Sequence, residues 1–350
     1  MKTSDFDYNL PAKSIAQMPA SPRDHSKLLV FDRDTKEINH DIFFHLDKYL
    51  EKGDVLVFNQ SKVFPARIKM FKKTGGQVEV FLLKNLDKKK WQCMVGGRRV
   101  EGQILELKMN SSEKLLAKIE KNKTGEFEAT FNFSGSPFFD ILEKFGQTPL
   151  PPYIKTEDSQ KVRGKYQTVY ARERGSVAAP TAGLHFTDRV MKKLRQKGVR
   201  LEFITLNVGA GTFLPVKTEK LSKHKMHAEF VDIDQKTAER LNKYKQENRK
   251  IIAVGTTTLR ALEAVSDQKG QLKKHSGEVN IFITPGYSFQ FVDSLVTNFH
   301  LPKSTLLMLV SAMLREKNSH DQISRIRKIY QNAIKEDYRF YSFGDAMFLD

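Results

Sequence analysis

Apolar and polar positions alternate with two different periods along this chain, and the change of period divides it. Residues 54–59 (Asp-Val-Leu-Val-Phe-Asn) are a short apolar run after Gly53, the pattern of a buried strand, and residues 63–70 continue extended around Pro65. From about 71 to 133 the runs become short and alternating, at 77–83, 91–95, 104–108, 115–120 and 126–133, with Gly, Asn and Lys turns between them. Strands so closely spaced predict a small antiparallel barrel or sandwich. A helix over 137–145 and the stretch Pro149-Leu150-Pro151-Pro152-Tyr153 mark the return from it. The reading is a main domain of residues 1–70 and 149–350, interrupted by an inserted β-barrel domain of residues 71–148.

Strand and helix patterns take turns in the second half. Strands are expected at 176–179, 200–208, 250–254 and 279–283, with a last extended piece at 338–343. Helices are expected at 187–197, stopped by Gly198, at 235–247, at 256–266 with Thr256 as its cap, at 304–314 and at 321–336. That order predicts an α/β main domain with a parallel or mixed sheet and helices. The longest nearly apolar stretch, 306–314, is broken by Ser311 and is far short of the ~20 residues that cross a bilayer, so it reads as a buried helix and no membrane partner is expected.

Charge narrows the partner class. Fifty-nine Lys and Arg against 41 Asp and Glu leave a formal charge of +18, a field attractive to polyanions, so nucleic acid leads. The basic residues cluster at 69–73, 88–90, 98–99, 192–200 and 217–225 without a low-complexity tail, the signature of a folded basic face. Lys88 to Lys90 and Arg98-Arg99 are expected on turns of the barrel, as an outer nucleic-acid contact. The one cysteine, Cys93, has no partner in the chain, and no Cys/His cluster has zinc-ligand spacing, so neither a disulfide nor a metal site is expected. The amino terminus has no apolar signal core and carries acidic residues where a transit peptide avoids them, so a cytoplasmic protein is expected.

Four segments place small residues, hydroxyls and single ionisable groups at element ends. The first, 176–187, brings Pro180, Thr181, Ala182, Gly183 and the imidazole of His185 into one loop; its simpler reading is a tight turn with a core histidine. The second holds Gly209, Gly211 and Thr212 after a strand, but Leu214 stands where a dinucleotide loop needs its third glycine, so no pyrophosphate cradle is expected. The third, Val254-Gly255-Thr256-Thr257-Thr258-Leu259-Arg260, sets hydroxyls and free amides at a helix start, suited to a carboxylate or phosphate. The fourth joins Tyr287 with Asn298 and His300, aromatic and basic groups suited to stacking on an unpaired base. His227 and Glu229 share a face if extended, a candidate acid/base pair, and Asp345 follows a glycine near the end.

In this order the segments resemble the S-adenosylmethionine:tRNA ribosyltransferase-isomerases of queuosine biosynthesis. The likeness runs nearly end to end, through Asp5-Phe6-Asp7-Tyr8-Asn9-Leu10-Pro11, residues 53–59 with Pro65-Ala66-Arg67, Gly75-Gly76 with Glu79, residues 149–154 and 166–171, all four loops, and 338–347. Departures fall at Ser61-Lys62, at Asn207 and at Leu214, which makes Asn207 a poor candidate for proton transfer. The resemblance implies an α/β domain with a barrel insert. It also implies transfer and isomerisation of the ribosyl part of S-adenosylmethionine onto a 7-aminomethyl-7-deazaguanine at the tRNA wobble position, with adenine and methionine released. S-adenosylmethionine would then be a consumed substrate and no cofactor is expected. A sulfonium acidifies the adjacent 5′ C–H, so the chemistry asks for one base, one acid near adenine and polar ribose contacts.

On this reading the catalytic candidates are His185 first, then His227 with Glu229, and Asp345. The substrate-binding candidates are Pro180, Thr181, Ala182, Gly183, Gly209, Gly211, Thr212, Thr256, Thr257, Thr258, Arg260, Tyr287, Asn298 and His300. A monomer is expected. Two other classes compete: a non-catalytic tRNA-binding protein using the same basic faces, and a conventional methyltransferase, disfavoured because the glycine loop lies past the middle of the chain.

Overall fold

The computed structural model describes residues 1–155, 159–209, 211, 218–224 and 226–350. Strands β1 (Lys27–Phe31), β2 (Ile38–Ile42), β3 (Val55–Asn59) and β4 (Ser61–Val63) come first. Six more follow: β5 (Arg67–Phe71), β6 (Gln77–Asp87), β7 (Lys90–Val95), β8 (Ile104–Lys108), β9 (Lys114–Lys121) and β10 (Phe127–Phe131). After helices α1 (Gly135–Phe145) and α2 (Gln160–Lys165) the chain alternates through β11 (Glu173–Ser176), α3 (Asp188–Lys197), β12 (Arg200–Asn207), β13 (Glu229–Ile233), α4 (Gln235–Gln246), β14 (Ile251–Val254) and α5 (Thr256–Val265). It ends with β15 (His275–Val279), β16 (Ser294–Asn298), α6 (Thr305–Met313), α7 (Ser319–Lys335) and β17 (Ala346–Leu349).

Among the described residues nine strands form one mixed sheet in the order β15-β13-β12-β3-β14-β16-β17-β1-β2. Its middle is parallel: Leu56 of β3 faces Leu201 of β12 on one side and Ile252 of β14 on the other, and β16 runs alongside β14. Because strand side chains alternate, each run feeds two cores, which is why β14 is apolar throughout and β3 is apolar from Val55 to Phe58. Val55, Val57, Ile251 and Ala253 pack with α4, α5, α6 and α7, while Leu56, Phe58, Ile252 and Val254 pack with α3 and the segment 43–50. Each such side chain buried contributes roughly 1.5–3 kcal/mol before the entropy of ordering it.

Strands β5 to β10 close a six-stranded antiparallel barrel with its own core, plugged by Phe138 and Leu142 of α1. Its first strand, β5, starts at Arg67 and pairs with β6 and β8, so it takes strand material from before residue 71. The expected large α/β domain with an inserted barrel is the observed architecture. Among the described residues no helix is long and apolar enough to cross a membrane, and no cluster of His, Cys, Asp and Glu could hold a metal ion.

Several local expectations need correction. The strand expected at 176–179 is β11, which ends at Ser176; Val177 still donates to the Val208 carbonyl, but Pro180 has no N–H and the chain turns into the loop that carries His185. The strand expected at 279–283 lies earlier, as β15. Residues 338–343 are a loop, not a strand: Tyr341 takes a left-handed φ of 73° and Gly344 donates back to its carbonyl. The aromatic alternation there buries Tyr338, Phe340 and Phe343 as anchors of the turn, and the strand is the unforeseen β17. Thr256 is the first helical residue of α5, and its cap is Gly255, whose φ of 90° a side chain would strain.

Candidate active site

Parallel α/β sheets bind ligands beyond the carboxyl ends of their strands, and there the loops after β11, β12, β14 and β16 meet. They enclose a cavity of about 150 Å³ whose walls include Pro180, Thr181, Thr256, Thr257, Asn298 and His300. A smaller cavity of about 60 Å³ adjoins it, sharing Leu306 and lined also by Gly209, Gly211, His227, Glu229 and Arg260. Helix α5 serves both, because Thr257 and Arg260 are three residues apart and fall on one helical face.

Polar groups without a partner among the described residues belong to side chains that line this space. The Thr257 hydroxyl accepts and donates nothing among the described residues, the hydroxyl of fully buried Tyr166 lies beside the Ala179 backbone and Ser342, and the amides of Thr256, Thr257 and Thr258 open the helix. Thr258 differs: its hydroxyl donates to the Val254 carbonyl at 2.8 Å and serves the helix. Burial raises the ionisation of Tyr153, Tyr166 and Tyr341 above the ordinary phenol range, so these phenols stay protonated donors.

His185 is buried behind this wall, with both ring nitrogens engaged. Asn298 Nδ2 donates to Nε2 at 3.0 Å, so Nδ1–H donates to Ser26 Oγ at 2.7 Å. Asn298 Oδ1 accepts from Thr181 Oγ1 at 2.9 Å, completing a chain from Ser26 to the cavity surface. Burial pushes the His185 imidazole down to about 4; the Asp345 carboxylate opposes this, and Arg339 and Arg23 add to it. At neutral pH it is uncharged. His300 stands in the wall itself, pushed down to about 3 by burial, with Nε2 3.0 Å from Thr297 Oγ1.

Asp345 holds the same edge together. Its carboxylate accepts from the Lys27 and Arg339 amides and takes the Arg339 guanidinium as an ion pair at 2.7 Å. Gly183 lies against Tyr170, whose hydroxyl would be 1.8 Å from an added Cβ, so this glycine is required for packing. Tyr287 is not brought to the cavity; its hydroxyl donates to Glu263, at the far end of α5. His227 and Glu229 are separated in environment, His227 exposed before β13 with its ring against the Gly211 backbone, Glu229 buried at the first position of β13. Thr212, like Lys217 and Lys225 of the basic cluster, lies outside the described residues. Tyr153, Tyr166, Tyr341 and Ser342 join the wall without having been singled out; in the sequence, such aromatics read as core.

Glu229 pairs with Arg260 through Arg260 Nη1, both side chains about 95% buried. The small cavity continues through Gly209, Ala228 and Glu229 into a groove of about 620 Å³ between the main sheet and the barrel. Lys84 and Lys88 of the β6–β7 hairpin, Trp91, Phe138 and Arg174 line it, and a 2.5 Å ion pair from Lys84 to Glu278 of β15 crosses it. The β7–β8 turn with Arg98 and Arg99 is exposed at the other end of β7, so the barrel's two basic turns face apart.

Residues 3–349 match the model of a family described as queuosine biosynthesis protein. A relative from Carboxydothermus hydrogenoformans named S-adenosylmethionine:tRNA ribosyltransferase-isomerase is 48% identical, with all of both chains covered. One of the same name from Clostridium kluyveri is 46% identical over the full length of both. A solved structure of an S-adenosylmethionine tRNA ribosyltransferase from Thermotoga maritima is 33% identical, with a TM-score of 0.56, covering 99% of this chain and 100% of that one.

Proposed function

The chain belongs to the queuosine biosynthesis protein family and is an enzyme, and on that premise we propose that it transfers and isomerises the ribosyl part of S-adenosylmethionine onto 7-aminomethyl-7-deazaguanine at the tRNA wobble position. The product is epoxyqueuosine in tRNA, with adenine and methionine released. The observation that carries this reading is the continuity of the space: a hydroxyl-rich cavity at the strand ends, a small cavity walled by Glu229 and Arg260, and a basic groove beside the barrel. The first is assigned to the nucleoside end of the donor, and a nucleotide projecting from RNA approaches the mouth of the second through the third.

Each protein group has a task in that reaction. The unpartnered hydroxyl of Thr257, the Tyr166 phenol and the α5 amides hold the nucleoside. His227, exposed beside the Glu229–Arg260 pair, accepts the 5′ proton acidified by the sulfonium; the resulting ylide opens the furanose and adenine leaves. The substrate amine attacks the opened sugar, closure gives the epoxide, and methionine departs. His185 is a positioning residue, because its nitrogens are taken by Ser26 and Asn298 and it presents Asn298 to the cavity. Lys84, Lys88 and Arg174 carry tRNA phosphate contacts at the groove. Product analysis with separately labelled S-adenosylmethionine tests the proposal.

A further inference from the structure

Arg260 is the one site group whose geometry names its ligand. Its guanidinium is about 95% buried, Nη1 is given to Glu229, and Nε and Nη2 have no partner among the described residues. Those two N–H groups form one edge of the guanidinium fork, the edge that meets a carboxylate. Among the described residues three other arginines use that edge on a carboxylate. Arg240 gives Nε and Nη2 to Glu202 at 3.1 and 2.8 Å, Arg339 gives them to Asp345 at 3.2 and 2.7 Å, and Arg189 gives them to Asp24. In Arg260 alone of these four the edge is unpartnered, and the residue lines the small cavity. Leaving two charged donors buried and unpaired costs the protein stability, so a ligand that fills them gains strongly.

The cavity limits what that ligand can be. About 60 Å³ suits a small group such as a carboxylate and its α-carbon. Glu229, in contact with Arg260, supplies a negative group beside the fork, and an α-amino acid presents a carboxylate and an ammonium on one carbon. We propose that the Arg260 Nε/Nη2 edge holds the α-carboxylate of the methionyl end of S-adenosylmethionine, with the α-ammonium towards Glu229. The inference rests on the functional reading above and deepens it: it orients the donor with its amino-acid end in the small cavity and its adenosine along α5 towards Thr257. The sulfonium and the 5′ carbon then lie between the two, beside His227.

The test compares binding of S-adenosylmethionine with decarboxylated S-adenosylmethionine, by calorimetry or competition. Loss of a bidentate, charge-assisted contact predicts about 10- to 150-fold weaker binding of the decarboxylated compound to the unaltered protein. In Arg260→Lys, which keeps the charge opposite Glu229 but loses the fork, the two compounds should bind within about 3-fold of each other. The double variant Arg260→Gln with Glu229→Gln removes both charges and should show the same collapse, covering the case in which the lysine variant does not fold. A preference for the carboxylate that persists in either variant, or is absent from the unaltered protein, overturns the assignment. Failure of the functional reading looks different: neither compound binds the unaltered protein, or no ribose label enters tRNA.

Discussion

Asn298 donates to His185 Nε2 at 3.0 Å while its Oδ1 accepts from Thr181, so one amide joins a buried imidazole to the cavity wall. A ring nitrogen that accepts a hydrogen bond from an amide is not free to take a proton from substrate. Replacing His185 with Gln should therefore lower kcat about 10- to 100-fold by misplacing Asn298, while the acid limb of the kcat profile keeps its position. Disappearance of that limb in the variant would make His185 the base itself.

The same burial gives a pH dependence of stability. The folded His185 is pushed down to about 4, whereas an unfolded histidine titrates near ~6.5. As pH falls the unfolded chain binds the proton first, so stability is full above ~6.5 and is lost between there and about 4, on the order of 3 kcal/mol in all. His300, pushed down to about 3, acts in the same direction. Urea midpoints at pH 7, 5.5 and 4.5 should fall more steeply for the unaltered protein than for His185→Gln. Parallel slopes would mean that the folded imidazole is charged.

Neighbouring threonines of α5 should separate binding from stability. The Thr257 hydroxyl has no partner among the described residues, so Thr257→Val should weaken S-adenosylmethionine about 5- to 10-fold with the melting temperature nearly unchanged. The Thr258 hydroxyl bonds the Val254 carbonyl, so Thr258→Val should cost about 1 kcal/mol of stability with a smaller effect on binding. The reverse pattern would place the ligand elsewhere.

Much of the fold is written in local pattern, and the exceptions have a common cause. The β3 run, the closely spaced barrel strands and α3 are legible because neighbours in sequence decide them; Thr187 accepts from the Val190 amide and Gly198 takes φ 88° at the other end of α3. Strand β17 is a four-residue apolar stretch whose partners, β16 and β1, come from distant parts of the chain. The site is less legible for the same reason. His185 and Asn298 are 113 residues apart, and Glu229 and Arg260 are 31 apart, so neither the occupied imidazole nor the open guanidinium edge is visible in either segment alone. The hydroxyls of α5 could be singled out in sequence because a glycine followed by threonines is itself a helix start.

Binding of tRNA should be strongly salt dependent, since +18 of formal charge and the lysines of the groove favour phosphate contacts. Lys88→Glu, at the groove, should weaken tRNA and reduce the slope of log affinity against log salt by about 1 to 2. Arg98→Glu, on the turn that faces away, should change both less. Equal effects would move the tRNA path to the outer face of the barrel.

The central claim is ribosyl transfer, and the most direct measurement follows two labels. With tRNA bearing 7-aminomethyl-7-deazaguanine, S-adenosylmethionine labelled in the ribose should leave its label in the tRNA, with one adenine and one methionine released for each event. Donor labelled in the methyl group should leave its label in methionine. Methyl label recovered in tRNA, or neither label recovered there, would contradict the account.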